Sequence, residues 1–189
     1  MAGPLNAYFD ATLEVSRTVM DLCAGALRID PGLFADAVTQ PICNLNVNRY
    51  PPLREVGEVA EGQLRIAPHT DFGAVTILDR EPGIGGLQVQ LPNGRWVDAP
   101  YVEGALTVNI GDMLARWTGD RWRSTPHRVL PPDPSAPDEQ LMSLVLFVDL
   151  DDEAMIAPID GPRRGPNEYE PISAGAYLRA KLDAINSAA

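Results

Sequence analysis

Pro68-His69-Thr70-Asp71-Phe72-Gly73 is the stretch on which the reading of this chain turns. It pairs with Ser124-Thr125-Pro126-His127-Arg128-Val129 far downstream, because His69 and His127 are the only 2 histidines in the sequence. Side chains alternate between faces along a strand, so His69 and Asp71, two residues apart, are expected to project to one side. Taken alone, a His-x-Asp pair is also what a hydrogen-bonded histidine beside a loop aspartate gives, and short motifs match by chance. With His127 added, the set becomes two imidazoles and one carboxylate. That set leaves open positions on a metal and suits Fe(II).

Outward from this stretch the chain reads as short strands. Residues 42–50 alternate, with Cys43, Leu45 and Val47 on one face and Asn44, Asn46, Asn48 and Tyr50 on the other. A row of amides and a phenol needs partners if buried, so that face is either wet or lines a polar pocket. Pro51-Pro52 ends the strand, since proline donates nothing to a ladder. Further strands are expected over 75–78, 87–91, 96–97 and 106–110, and around His127. Residues 142–150, nearly continuously apolar, read as a central strand covered on both faces. Pro92-Asn93-Gly94 is a hairpin signal, while 55–64 and 131–137 read as surface loops. The turn Pro82-Gly83-Ile84-Gly85-Gly86 lacks the lysine and Ser/Thr of a phosphate loop.

Helices flank the strands. Over residues 5–27, Phe9, Leu13, Met20, Cys23 and Leu27 form one stripe with Ser16 as its polar interruption. Asp30-Pro31 opens a short helix through Ala37, and Ser173 caps a last helix over 173–186. The expected fold is an all-β core with flanking helices, a double-stranded β-helix of the jelly-roll type. It forms a single domain with a helical lead-in over about 1–40, a core over about 41–150 and a helical segment over about 151–189. The mouth of such a barrel is a natural ligand site.

A length of 189 residues with 45% hydrophobic content is enough for one well-formed core. The net charge of −11 argues against non-specific binding to nucleic acid or anionic membranes. No apolar run is long enough to span a bilayer, and the start lacks a secretory signal. Cys23 and Cys43 lack metal spacing and read as reduced thiols, which together with Fe(II) points to the cytoplasm.

Three segments occur in order: Asn48-Arg49-Tyr50-Pro51-Pro52, then Ala67-Pro68-His69-Thr70-Asp71-Phe72-Gly73, then residues 109–129, beginning Asn109-Ile110-Gly111-Asp112 and ending Pro126-His127-Arg128-Val129. Together they resemble the iron- and 2-oxoglutarate-dependent dioxygenases of the isopenicillin N synthase-like superfamily, over about residues 47–150. The resemblance implies that His69, Asp71 and His127 hold Fe(II), that Asn48 and Tyr50 contact 2-oxoglutarate, and that Ser143 holds its distal carboxylate. It also implies oxidative decarboxylation of 2-oxoglutarate with O2, coupled to oxidation of a C–H bond, by default hydroxylation, in a small-molecule substrate.

Two departures accompany the resemblance. Relatives carry an Arg-x-Ser pair where this chain has Leu141-Met142-Ser143, and leucine offers a carboxylate nothing in place of a bidentate cation. Either another arginine, such as Arg49 or Arg128, takes over, or the co-substrate differs, or turnover is lost. Relatives also carry a substantial region before the first long helix, where this chain begins. A homodimer or a partner chain is therefore expected to cover the surface left open. These departures keep two alternatives in view: an oxidase like isopenicillin N synthase that does not use 2-oxoglutarate, and a non-catalytic metal- or ligand-binding jelly roll.

Overall fold

The computed structural model describes residues 2–159 and 165–188. The chain opens with helix α1 (Ala2–Leu27), which buries Met20, Ala24 and Leu27 at helical spacing. Ser16 does not interrupt this face: it is buried there, its hydroxyl donating to the Leu13 carbonyl at 2.7 Å. Thr12 lies one turn earlier, likewise buried and bonded back to Tyr8. Small hydroxyls satisfied within the helix let α1 approach the sheet closely, while Phe9, Leu13 and Cys23 pack at the margin. Asp30 caps the next turn, accepting from Gly32 N–H at 2.9 Å. Helix α2 (Gly32–Ala35) runs only to Ala35, and a 3₁₀ turn, Asp36–Val38, completes the expected helix.

Eight strands then form two antiparallel sheets. The major sheet contains β1 (Cys43–Tyr50), β3 (Val75–Arg80), β6 (Thr107–Ile110) and β8 (Leu141–Val148), in the order β1-β8-β3-β6. The minor sheet contains β2 (Ile66–His69), β4 (Leu87–Gln90), β5 (Trp96–Asp98) and β7 (His127–Val129), in the order β2-β7-β4-β5. Two facing sheets of four strands make the double-stranded β-helix expected from the sequence.

Register decides which residues face which way. Val75, Val148 and Cys43 stand side by side, as do Ile77, Leu146 and Leu45, and this face packs on α1 and Phe34. The opposite face, carrying Asn48, Tyr50, Thr76, Leu78, Asn109, Ser143 and Val145, turns toward the minor sheet and encloses the barrel interior. β8 is central, between β1 and β3, but it is not covered along its whole length: Met142 is 42% exposed.

Three further helices complete the chain. Two are short and fall where no helix is expected from the sequence: α3 (Leu53–Val56), directly after Pro51-Pro52, and α4 (Asp112–Trp117), which buries Met113, Leu114 and Trp117. Trp117 meets Phe34 edge-on, with ring centroids 4.8 Å apart. After a two-stranded ribbon, β9 (Met155–Ile156) with β10 (Ile172–Ser173), the last helix α5 (Ala174–Ala188) is capped by Ser173, whose hydroxyl accepts from Ala176 N–H at 3.3 Å. No helix among the described residues is long and apolar enough to cross a membrane.

Candidate metal centre

His69 ends β2 and His127 begins β7, directly opposite each other in the minor-sheet ladder. Their rings lie 4.2 Å apart between centroids. Asp71 is not on the strand with His69. β2 stops at His69 after a register shift, and Asp71 follows in a turn. The same-side placement expected from strand alternation is therefore correct in outcome and wrong in cause.

The turn is held from behind. Asp112 N–H donates to the Asp71 carbonyl at 2.8 Å, and Met113 N–H donates to the Phe72 and Gly73 carbonyls at 3.1 and 3.0 Å. The first N–H groups of α4 lack intrahelical acceptors and are satisfied by this turn. The approach requires glycine at Gly111, where a Cβ would overlap the Gly73 carbonyl oxygen. Thr70 and Lys181 both donate to Oδ2 of Asp112, at 3.2 and 2.7 Å, tying the turn, α4 and α5 together.

The three donor side chains converge, with their ligand atoms all within 4.8 Å of one another. Oδ2 of the buried Asp71 accepts from Thr76 Oγ1 at 2.7 Å and from Asn109 Nδ2 at 2.7 Å. Its other oxygen, Oδ1, faces His69 Nε2 at 3.8 Å and His127 Nε2 at 3.6 Å. Each imidazole places its Nδ1 against a backbone carbonyl two residues upstream, Ala67 at 2.9 Å for His69 and Thr125 at 3.1 Å for His127. A carbonyl only accepts, so each Nδ1 carries a proton, and Nε2 is the nitrogen turned inward, toward Asp71. This is how a protein fixes the tautomer of a metal-ligating histidine. These supporting groups, two carbonyls with Thr76 and Asn109, are not readable from the sequence motif. The donor set fits a divalent cation: two imidazoles and one buried carboxylate with an oxygen aimed between them.

Two cavities meet at this point. An interior cavity of about 110 Å³ is lined by His69, Asp71 and His127 together with Asn48, Tyr50 and Asn109, and by apolar residues such as Leu78 and Val89. An outer opening of about 700 Å³ shares His69, Asp71 and Phe147 with it, and is walled by Asn44, Asp149 and the α5 residues Leu178, Leu182 and Ile185. Of the polar row expected on β1, Asn48 and Tyr50 face the interior cavity, Asn44 faces the outer opening, and Asn46 is exposed. Ser143 faces a smaller recess of about 40 Å³ that shares Tyr50, Leu78, Leu87 and Val129 with the interior cavity. Neither arginine considered as a replacement at position 141 reaches these cavities. Arg49 points outward to Glu55 and Gln140, and Arg128 bonds Gln88 and stacks on Trp96.

Burial, then the negative charge of Asp71, raises the Asp149 carboxyl from 3.8 to about 6. Burial, followed by Asp149, pushes the Cys43 thiol up to about 11. Cys23 and Cys43 are both free thiols.

The family model of the 2OG-Fe(II) oxygenase superfamily matches residues 41–149, more than half of the chain. This chain belongs to that superfamily. It is 43% identical over 175 residues to a protein named Validamycin A dioxygenase from Streptomyces hygroscopicus subsp. limoneus, covering 93% of this chain and 48% of that protein. It is 35% identical over 178 residues to the 2-oxoglutarate-dependent dioxygenase citB of Monascus ruber, covering 93% and 52%. The crystal structure of a full-length Neurospora crassa protein in complex with alpha-KG superposes with a TM-score of 0.85 at 34% identity, covering 95% of this chain and 56% of that one. A second structure of the same Neurospora crassa protein, with alpha-KG and thymine, superposes at 0.86. The chain thus spans about half the length of the relatives it matches.

Proposed function

We propose that this chain is the core of a non-heme Fe(II) oxygenase that consumes 2-oxoglutarate and O2 and oxidises a C–H bond of a small organic molecule. The observation that carries the reading is the orientation of Asp71. One of its oxygens is held by Thr76 and Asn109, and the other faces the Nε2 atoms of both imidazoles. In this reading His69, Asp71 and His127 would hold the iron where the two cavities meet. Bound there with its co-substrates, Fe(II) supplies the oxidising chemistry, in which substrate R–H, 2-oxoglutarate and O2 become R–OH, succinate and CO2.

The remaining residues bind and shield. Asn48, Tyr50 and Ser143 offer polar groups to 2-oxoglutarate in the interior cavity and its recess. The apolar residues Leu78, Leu87, Val129 and Val145 exclude water around it. The outer opening, reaching His69 and Asp71 from the other side, takes the organic substrate between Asn44, Asp149 and the apolar side of α5. The small molecules in the names and titles of the relatives, validamycin A and thymine, support a substrate of that size. Free thiols at Cys23 and Cys43 support a reducing compartment such as the cytoplasm. Exposed apolar side chains such as Leu22, 68% exposed, support a covering partner or second copy.

The test is to add Fe(II) and then 2-oxoglutarate under anaerobic conditions and record the visible charge-transfer band of the chelate. A band that saturates at one equivalent of iron is expected. Iron binding without a band favours an oxidase that does not use 2-oxoglutarate, the reading to which Leu141 points. Failure to bind iron leaves a non-catalytic jelly roll.

A further inference from the structure

The recess beside the interior cavity is walled mostly by apolar side chains, among which Ser143 and Arg80 stand out. Asn48, Ser143 and Arg80 form one row across three strands, since Asn48 and Arg80 are both register partners of Ser143 in β8. Ser143 is 4% exposed and its hydroxyl has no partner. Arg80 lines the same recess; its Nε is buried without a partner, and Nη1 donates to the Gly83 carbonyl at 3.1 Å. Orphaned donors of this kind are expensive unless a ligand satisfies them. Leu141, two residues from Ser143 and on the same face, contributes only apolar wall. Among the described residues, the walls of this recess and of the interior cavity contain one side chain with a permanent positive charge, Arg80.

We infer that Arg80, on β3, binds the distal carboxylate of the 2-oxo acid co-substrate together with Ser143, doing from the neighbouring strand what position 141 does not. The inference rests on the iron and 2-oxoglutarate reading above. The geometry supports it in three ways. Val129 lines both cavities and lies two residues from His127 in β7, about 7 Å along a strand. That step is within reach of a five-carbon chain anchored at the metal. The guanidinium is also braced: its carbon sits 4.6 Å from the Tyr101 ring centroid. Finally, Gly85 leaves it room, since a Cβ there would come within 3.1 Å of Arg80 Nη1 and 3.3 Å of Leu141 Cδ1. Glu139 holds that turn in place by accepting from Ile84 and Gly85 N–H. Arg65, whose Nε is also buried without a partner, lines neither cavity; it donates to the Pro51 carbonyl at 2.7 Å and stacks against Tyr50 from a separate groove.

The experiment uses the Fe(II) form of the chain under anaerobic conditions, with the charge-transfer band as readout. Native protein, Arg80→Met and Arg80→Lys are each titrated with 2-oxoglutarate and with 2-oxopentanoate, which carries a methyl group in place of the distal carboxylate. Native protein should prefer 2-oxoglutarate by roughly ten- to a hundredfold, the size of a charge-assisted contact. Arg80→Met should lose that preference while binding 2-oxopentanoate and iron as before. Arg80→Lys should keep part of it, and it carries the test if the methionine variant does not fold. A preference unchanged in both variants overturns the role of Arg80 and leaves the proposed function standing. A native protein that gives no band with either acid overturns the proposed function, and this inference with it.

Discussion

Thr76 and Asn109 stand directly opposite each other in the β3–β6 ladder and donate to the same oxygen of Asp71, each at 2.7 Å. Two strands of the major sheet therefore orient a carboxylate carried by a turn that follows a strand of the minor sheet. The other oxygen is left facing the imidazoles.

The first prediction follows from that arrangement. Asn109→Ala removes one of the two donors without touching a ligand atom. Losses of metal affinity of about 10–100-fold are typical when such a supporting contact is removed. Competition against a chelator should show a loss in that range, with far-ultraviolet circular dichroism unchanged. Thr76→Val should behave similarly. Native affinity in both variants would show that Asp71 is oriented by its turn alone.

A second prediction concerns Gly111. A methyl group there would overlap the Gly73 carbonyl and press on the Asp71 carbonyl, so Gly111→Ala must displace the turn or the start of α4. Overpacking of this kind costs about 1–3 kcal/mol. The variant should melt at a lower temperature and also bind iron more weakly, because the displaced backbone carries a ligand. Reduced stability with unchanged iron affinity would contradict the coupling.

The site was only partly legible in the sequence. His69, Asp71 and His127 stood out because their donor types form a set whatever the backbone does. The reason they meet did not, because the turn held by α4 depends on which backbone N–H groups reach which carbonyls. Six residues, Asp112–Trp117, are too few for a helical period to show. Asn48 and Tyr50 were legible as one face of an alternating strand. Arg80 was not: at the end of β3 it reads as a charge leaving the core, and only the register with Ser143 brings it inward. Likewise Ser16, polar within an apolar stripe, looked like an exception until its bond to Leu13 showed how it is buried.

A third prediction is a pH dependence. The Asp149 carboxyl lies at about 6 in the folded chain, against an ordinary 3.8, through burial and then the charge of Asp71. A raised carboxyl holds its proton more tightly folded than unfolded, so it opposes folding as pH rises from about 4 to 6 and opposes it fully above that. A rise of this size corresponds to about 3 kcal/mol. Metal-free Asp149→Asn should therefore be more stable than the native protein at pH 8 by up to about that amount. The advantage should shrink through the window and vanish below pH 4. A constant difference between pH 4 and 8 in urea unfolding would contradict it.

The central claim is that His69, Asp71 and His127 are the ligands of one iron. Anaerobic equilibrium dialysis of Fe(II) against native protein, Asp71→Ala and His127→Ala tests it most directly. One bound iron per native chain is expected, with stoichiometric binding lost in both variants while circular dichroism shows the fold retained. Unchanged iron content in either variant would contradict the account.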